Sequence, residues 1–199
     1  MRKTVLLRMS ILLPALCMAQ TAKSVLDKTA AMLSHKDGVT ANFTMTNSQQ
    51  AKVSGTVAIK GIKVYAKTPV AVMWFDGKTQ WTYLAKNEEV NVTTPTDAQL
   101  QTINPYTFIN IYKQGYDYTM TKSTSSFNIH LTAKDKKKKV QEMFITVDRK
   151  SYAPTQVKLL QGRKWTQFDI AGVKQQKLSD TMFRFSSKDF PQAEVVDLR

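Results

Sequence analysis

A chain of 199 residues with 29 Lys and Arg against 15 Asp and Glu carries a formal charge of +14, strongly basic for a single domain of this size. One cysteine and two histidines exclude a disulfide framework and leave little for a cysteine or histidine metal centre. With 42% apolar residues a sizeable core is feasible, so packing alone has to stabilise the fold.

The chain opens on Arg2-Lys3, an apolar run from Val5 to Leu16 interrupted by Arg8, and then Cys17-Met18-Ala19, with small residues where a signal peptidase cleaves. This pattern predicts a secretory signal over 1–19 and one domain over 20–199. The run is shorter than the ~20 residues that span a bilayer, which argues against a retained anchor. A lipoprotein signal at Cys17 would want a small residue just before the cysteine, where Leu16 stands. Losing Arg2, Lys3, Arg8 and Cys17 leaves a chain still strongly basic, with no thiol for a nucleophile or a metal site.

The first element predicted after the signal is a short helix from Ala22 to Ser34, with Leu26, Thr29, Ala30 and Leu33 on one stripe and Gly38 just beyond its end. Strands then dominate. Val39, Ala41, Phe43 and Met45 alternate with polar partners, as do Val53, Gly55, Val57 and Ile59, and then Ile62, Val64 and Ala66. Val70 to Tyr83, VAVMWFDGKTQWTY, reads as a hairpin turning at Asp76-Gly77. A two-residue turn sets Phe75 against Lys78, Trp74 against Thr79, Val72 against Trp81 and Val70 against Tyr83, and a four-residue loop keeps the same parity. Val70, Val72, Trp74, Trp81 and Tyr83 therefore share one face, and Lys78, Gln80 and Thr82 the other.

Val90 to Thr93 is the next strand. The pattern between Thr94 and Gly115 is helical, with a short turn near Asp97 to Gln101, Asn104 as a cap, Pro105 at the first helical position, and Phe108, Ile109 and Tyr112 on one stripe. Alternating runs follow at Tyr116 to Met120, Phe127 to Leu131, Val140 to Val147, Thr155 to Leu160, Thr166 to Val173, Thr181 to Phe185 and Glu194 to Leu198. No Gly/Ser or Pro-rich linker divides them. About eleven strands in sequential hairpins, with two or three short helices, amount to one strongly curved antiparallel sheet in a mainly β fold. Such a sheet can wet one face but must cover the other, and a few short helices cannot fill its concavity, which leaves room for an apolar ligand. From composition alone, plain core is the commoner meaning of an alternating apolar face.

The segments GTVAIKGIKVYAKTPVAVMWFDGKTQWTY, NEEVNV, NPYTFINIY and MFRFSSKDFPQAEVVDLR resemble the periplasmic carriers of outer-membrane lipoproteins, the LolA type. Asp76-Gly77-Lys78-Thr79 followed by Trp81 and Tyr83 is the sharpest part, supported by Asn104-Pro105, Phe183 and Phe185. The resemblance covers most of the mature chain. It implies a half-open, eleven-stranded barrel capped by helices, enclosing an apolar cavity for the acyl chains of a lipoprotein, with no reaction and no cofactor. The lining it suggests is Phe43, Met45, Val57, Ile59, Val70, Val72, Trp74, Trp81, Tyr83, Phe108, Ile109 and Tyr112. Implied partners are acylated lipoprotein cargo, an ATP-driven extraction complex in the inner membrane, and an outer-membrane acceptor or the outer membrane directly. The implied location is the periplasm, as a monomer without nucleic acid. The proteobacterial carriers have an arginine and a proline just after the strand matching Val57 to Lys60, where the arginine helps hold the lid closed. Here Gly61 stands near that place, with Lys60 and Lys63 as less rigid substitutes. A lipid-binding or envelope-stress sensor with the same half-barrel is the alternative from another class.

The remaining polar residues give no catalytic constellation. His35 beside Asp37 reads as an exposed helix terminus, His130 as a strand residue, and Asp76 as a turn former. Glu88 and Glu89 are adjacent and so point to opposite faces of a strand. No G-x-S-x-G elbow is present to support a lipid hydrolase. Lys134 to Lys139, KDKKKK, reads as a solvated hairpin tip that discourages edge pairing, or as an attractor for anionic membrane.

Overall fold

Thr21 begins the first element by accepting the Ser24 backbone N–H on its side-chain oxygen, satisfying one of the donors that a helix start leaves free. Helix α1 then runs Ala22–Leu33 and buries Val25, Leu26, Thr29, Ala30 and Leu33 along one stripe. The computed structural model describes residues 20–96, Gln99 and 111–199. The expected signal over 1–19, most of the turn near Asp97 to Gln101 and most of the second helix, including Phe108 and Ile109, lie outside the described residues.

Among the described residues, twelve strands follow α1: β1 (Val39–Asn47), β2 (Lys52–Lys60), β3 (Lys63–Lys67), β4 (Ala71–Phe75), β5 (Gln80–Leu84), β6 (Glu89–Thr93), β7 (Tyr116–Lys122), β8 (Ser126–Ala133), β9 (Val140–Asp148), β10 (Pro154–Gln161), β11 (Lys164–Gln175) and β12 (Glu194–Asp197). They form one sheet in the order β12-β6-β5-β4-β3-β2-β1-β11-β10-β9-β8-β7. Every pairing is antiparallel except that of β12 with β6. β7 and β12 are the two edges, so the sheet is an open half-barrel.

Two elements differ from the sequence reading. Thr181 to Phe185 is not a strand: Ser179 accepts from the Thr181 N–H and starts a 3-10 turn over Asp180–Phe183, which turns Phe183 fully into the core. Ile62 lies in the Gly61-Ile62 turn rather than in β3, and it is exposed.

Two packed regions hold the sheet, one on each face. On the concave face of β7 to β10, Phe127, Ile129, Leu131, Met143, Ile145 and Leu159 pack against Val25 and Leu26 of α1 and against Tyr112, which sits in a 3-10 turn over Ile111–Lys113. At about 1.5–3 kcal/mol for each large apolar side chain fully buried, this cluster dominates stability. The Tyr112 hydroxyl donates to the Asp27 carboxylate, and the Tyr116 hydroxyl donates to the Val140 carbonyl at 2.7 Å. On the convex face of β2 to β6, the C-terminal segment lays Leu178 and Phe183 over Ala58, with Tyr65 and Met182 packed against them. Phe185 and Phe190 meet Trp74 edge-on at 5.6 and 5.3 Å, and Phe190 also meets Tyr83 at 4.6 Å.

Ion pairs fasten that segment. Asp180 takes the Lys60 ammonium at 2.9 Å and the Lys63 ammonium at 3.2 Å, and Lys60 also donates to the Leu178 carbonyl at 2.9 Å. Arg184 lies 3.3 Å from Asp76, whose other carboxylate oxygen accepts the N–H groups of Lys78 and Thr79 at the β4–β5 turn.

Candidate functional site

The inner-face residues of the sheet are not equally covered. Those of β8 and β9 are almost fully buried, whereas Phe43, Met45, Val53, Val57, Phe168, Ile170 and Val173, on the inner side of β1, β2 and β11, are only half-buried. Between them lies a pocket of about 260 Å³.

Register explains its walls. Val39, Ala41, Phe43 and Met45 alternate inward on β1. Across β2, Ile59 stands opposite Val39, Val57 opposite Ala41 and Val53 opposite Met45. On β3, Val64 pairs with Ile59 and Ala66 with Val57. On the other side, Ile170 pairs with Phe43 and Phe168 with Met45. A bulge in β11 extends this wall: the pairing jumps between Thr40 and Asn42, and Gly172 takes φ +62. The extra residue brings Val173 onto the inner face, where simple alternation would have continued to Gly172. Leu33 of α1, with Pro154 and Val157 of β10, completes the lining.

Gly55 leaves the floor low. It stands opposite Phe43, and a Cβ there would come within 2.2 Å of the Lys67 carbonyl and 2.9 Å of the Phe43 ring. Thr40 and Thr68 are the only polar side chains lining the pocket among the described residues, and no charged group lines it. Such a surface can solvate hydrocarbon and little else, since a polar ligand group entering it would find few hydrogen-bond partners. Among the described residues there is also no group of His, Cys, Asp or Glu placed to hold a metal ion.

The profile of the family described as outer membrane lipoprotein carrier protein LolA matches residues 15–163. The chain belongs to that family. No curated protein sequence matches it significantly. Among solved structures it is similar to an uncharacterised conserved protein from Thermus thermophilus, at 12% identity and a TM-score of 0.61, covering 89% of this chain and 99% of that one. A LolA superfamily protein from Nitrosomonas europaea matches at 14% identity and a TM-score of 0.45, covering 84% and 99% of the two chains. A putative outer membrane lipoprotein-sorting protein domain from Vibrio parahaemolyticus matches at 11% and 0.46, covering 84% and 97%.

In this LolA-family fold the residues expected to form one lining are divided. Phe43, Met45, Val57 and Ile59 line the pocket. Val72, Trp74, Trp81 and Tyr83 do share a face, but it is the outer one. Tyr65 pairs with Trp74 and Val64 with Phe75, so Trp74 falls on the side opposite the pocket wall at Val64. The β4–β5 connection is a four-residue loop that pairs Trp74 with Trp81 and Val72 with Tyr83, a shift that preserves parity. Val70 precedes β4 in a bend and is 61% exposed. Tyr112 belongs to the packed cluster under α1 rather than to the pocket. Sequence reasoning omitted Val64, Ala66, Phe168 and Ile170 from the lining, although all four lie in runs whose alternation it had read.

Gly61 has φ +60, and both flanking lysines are committed to Asp180 on the outer face. Hydrogen bonds from Lys60 and Lys63, reinforced by their charges, hold the Asp180 carboxyl below its usual range. At Asp76 burial alone would raise the pKa, but the two turn N–H groups and Arg184 outweigh it and leave the group lowered. The histidines stand apart from the pocket lining. His130 stacks on Phe144 at 4.1 Å and lies 3.0 Å from Glu142, while His35 lies 4.0 Å from Asp37 just beyond α1.

Proposed function

We propose that this LolA-family chain is a periplasmic carrier. Cleaved from its signal after Ala19, it holds lipoprotein acyl chains in the pocket between β1, β2, β3 and β11. It takes them from an ATP-driven extraction complex at the inner membrane and releases them to an outer-membrane acceptor or to the outer membrane itself. The observation that carries this reading is a half-buried, hydrocarbon-like lining inside a fold whose other inner face is already packed solid. At about 0.8 kcal/mol per methylene, eight methylenes in the pocket contribute roughly 6 kcal/mol, enough to hold a chain and weak enough to release it. Leu33 is the α1 residue that reaches the pocket, so the C-terminal end of α1 is the part that moves to admit cargo.

Mass spectrometry of the protein purified from its native envelope tests the proposal, with diacylglyceryl-modified protein as the expected passenger. Depletion of the chain should then strand lipoproteins at the inner membrane. Normal lipoprotein distribution after depletion would refute transport and leave lipid sensing as the role. An engineered disulfide tying the end of α1 to β1 should block transfer, and undiminished transfer would refute the moving helix end.

A further inference from the structure

The hairpin topology gathers positive charge at one end of the half-barrel. Register places Gln161 opposite Val140 and Asn47 opposite Thr166, so the β8–β9, β10–β11 and β1–β2 tips are neighbours at the same level. Those tips and their flanks carry Lys134, Lys136, Lys137, Lys138 and Lys139, then Arg163 and Lys164, then Lys52. Lys134 pairs with Asp117 at 3.1 Å, and Lys138 rests over the Tyr116 ring at 5.2 Å. The other six are exposed and, among the described residues, make no ion pair. Asp135 is the one acidic residue in these tips, so a large surplus of positive charge along three adjacent loops is held there against its own repulsion.

We propose that this rim is a docking surface for an anionic phospholipid bilayer. A planar sheet of phosphate groups can answer all three tips together, and long lysines on separate loops need no fixed geometry from their partner. The rim also stands over the pocket. Met45 and Val53, paired across β1 and β2, line it and lie next to Thr46 and Lys52 at the β1–β2 tip. Docking by the rim therefore turns that end of the apolar wall toward the membrane surface. Bilayer docking stands on the charges alone, and its use in loading or unloading cargo rests on the carrier reading.

The test is co-sedimentation with vesicles of 30% phosphatidylglycerol in phosphatidylcholine, compared with pure phosphatidylcholine. One variant replaces Lys136, Lys137, Lys139, Arg163 and Lys164 with Gln. A control of equal net charge replaces Lys78, Lys122, Lys150, Lys174 and Lys177, all exposed and at the opposite end. Each cation near such a surface is worth about fivefold in partition, so the rim variant should lose well over 100-fold and the control far less. Binding of a fluorescent fatty acid without vesicles should be unchanged in both, which separates failure of the pocket from failure of docking. Equal losses in the two variants would overturn the proposal by reducing it to net charge. So would absence of a phosphatidylglycerol preference in the wild type, or rim-dependent binding to duplex DNA but not to vesicles.

Discussion

Ala66 on β3 offers a direct trial of whether the inner pocket is vacant or merely loosely drawn core. It lines the pocket, pairs with Val57 and is half-buried. Ala66→Leu adds three carbons at the wall. If those carbons enter free space, they bury apolar area that water now touches, and stability should hold or rise by up to about 1–2 kcal/mol. The same carbons displace about three ligand methylenes at about 0.8 kcal/mol each, so a fluorescent long-chain fatty acid should bind roughly 50-fold more weakly. The two effects have opposite signs, which makes the pair of measurements decisive: a urea titration for stability and a fluorescence titration for binding. If the site is ordinary core, the substitution overpacks it and costs about 1–3 kcal/mol. A variant destabilised by that amount with unchanged fatty-acid binding would refute the pocket as a ligand site.

Trp74→Ala empties the outer aromatic cluster, where the ring is only 6% exposed, and should cost about 3–5 kcal/mol in urea unfolding while leaving fatty-acid affinity within twofold. A large affinity loss in the folded variant would return Trp74 to the lining. Gly55→Ala forces a methyl group against the Lys67 carbonyl and should destabilise by about 1–3 kcal/mol, and a cost below about 0.5 would contradict the close approach of β3. The Asp180 pKa is lowered in the folded state, so its contribution is complete above the ordinary carboxylate range and drains away as pH falls through the lowered folded value. Urea midpoints from pH 7 to 3 should accordingly fall more steeply for the wild type than for Asp180→Asn, whereas parallel curves would show that the lysine pairs contribute nothing measurable.

Much of this architecture was legible from alternation alone. The period-2 runs located nearly every strand, and Asp76-Gly77 fixed which of Val72, Trp74, Trp81 and Tyr83 share a face even though the loop proved two residues longer. What alternation cannot say is which of two apolar faces is inside. β4 reads Ala71-Val72-Met73-Trp74-Phe75 and is apolar on both sides, the pattern of a strand covered twice. The signal for the second cover was present in Phe183, Phe185 and Phe190, since three aromatics so close together in sequence need partners. Reading Thr181 to Phe185 as another strand concealed that need, because a capped turn and a short strand have similar composition. The β11 bulge was invisible for a different reason. Gly172 can mark a bulge, but only the pairing with β1 shows that Val173, and not Gly172, faces inward.

The parallel pairing of β12 with β6 joins Glu194–Asp197 to Glu89–Thr93, a contact between strands far apart in sequence. Trp74 and Tyr83 are shielded from water only once Phe185 and Phe190, far downstream in the chain, lie across them. With that segment undocked, the sheet displays a sticky aromatic panel on its outer wall. Until that closure, the half-formed sheet carries a patch prone to stick to other chains, a cost of folding that is separate from any cargo.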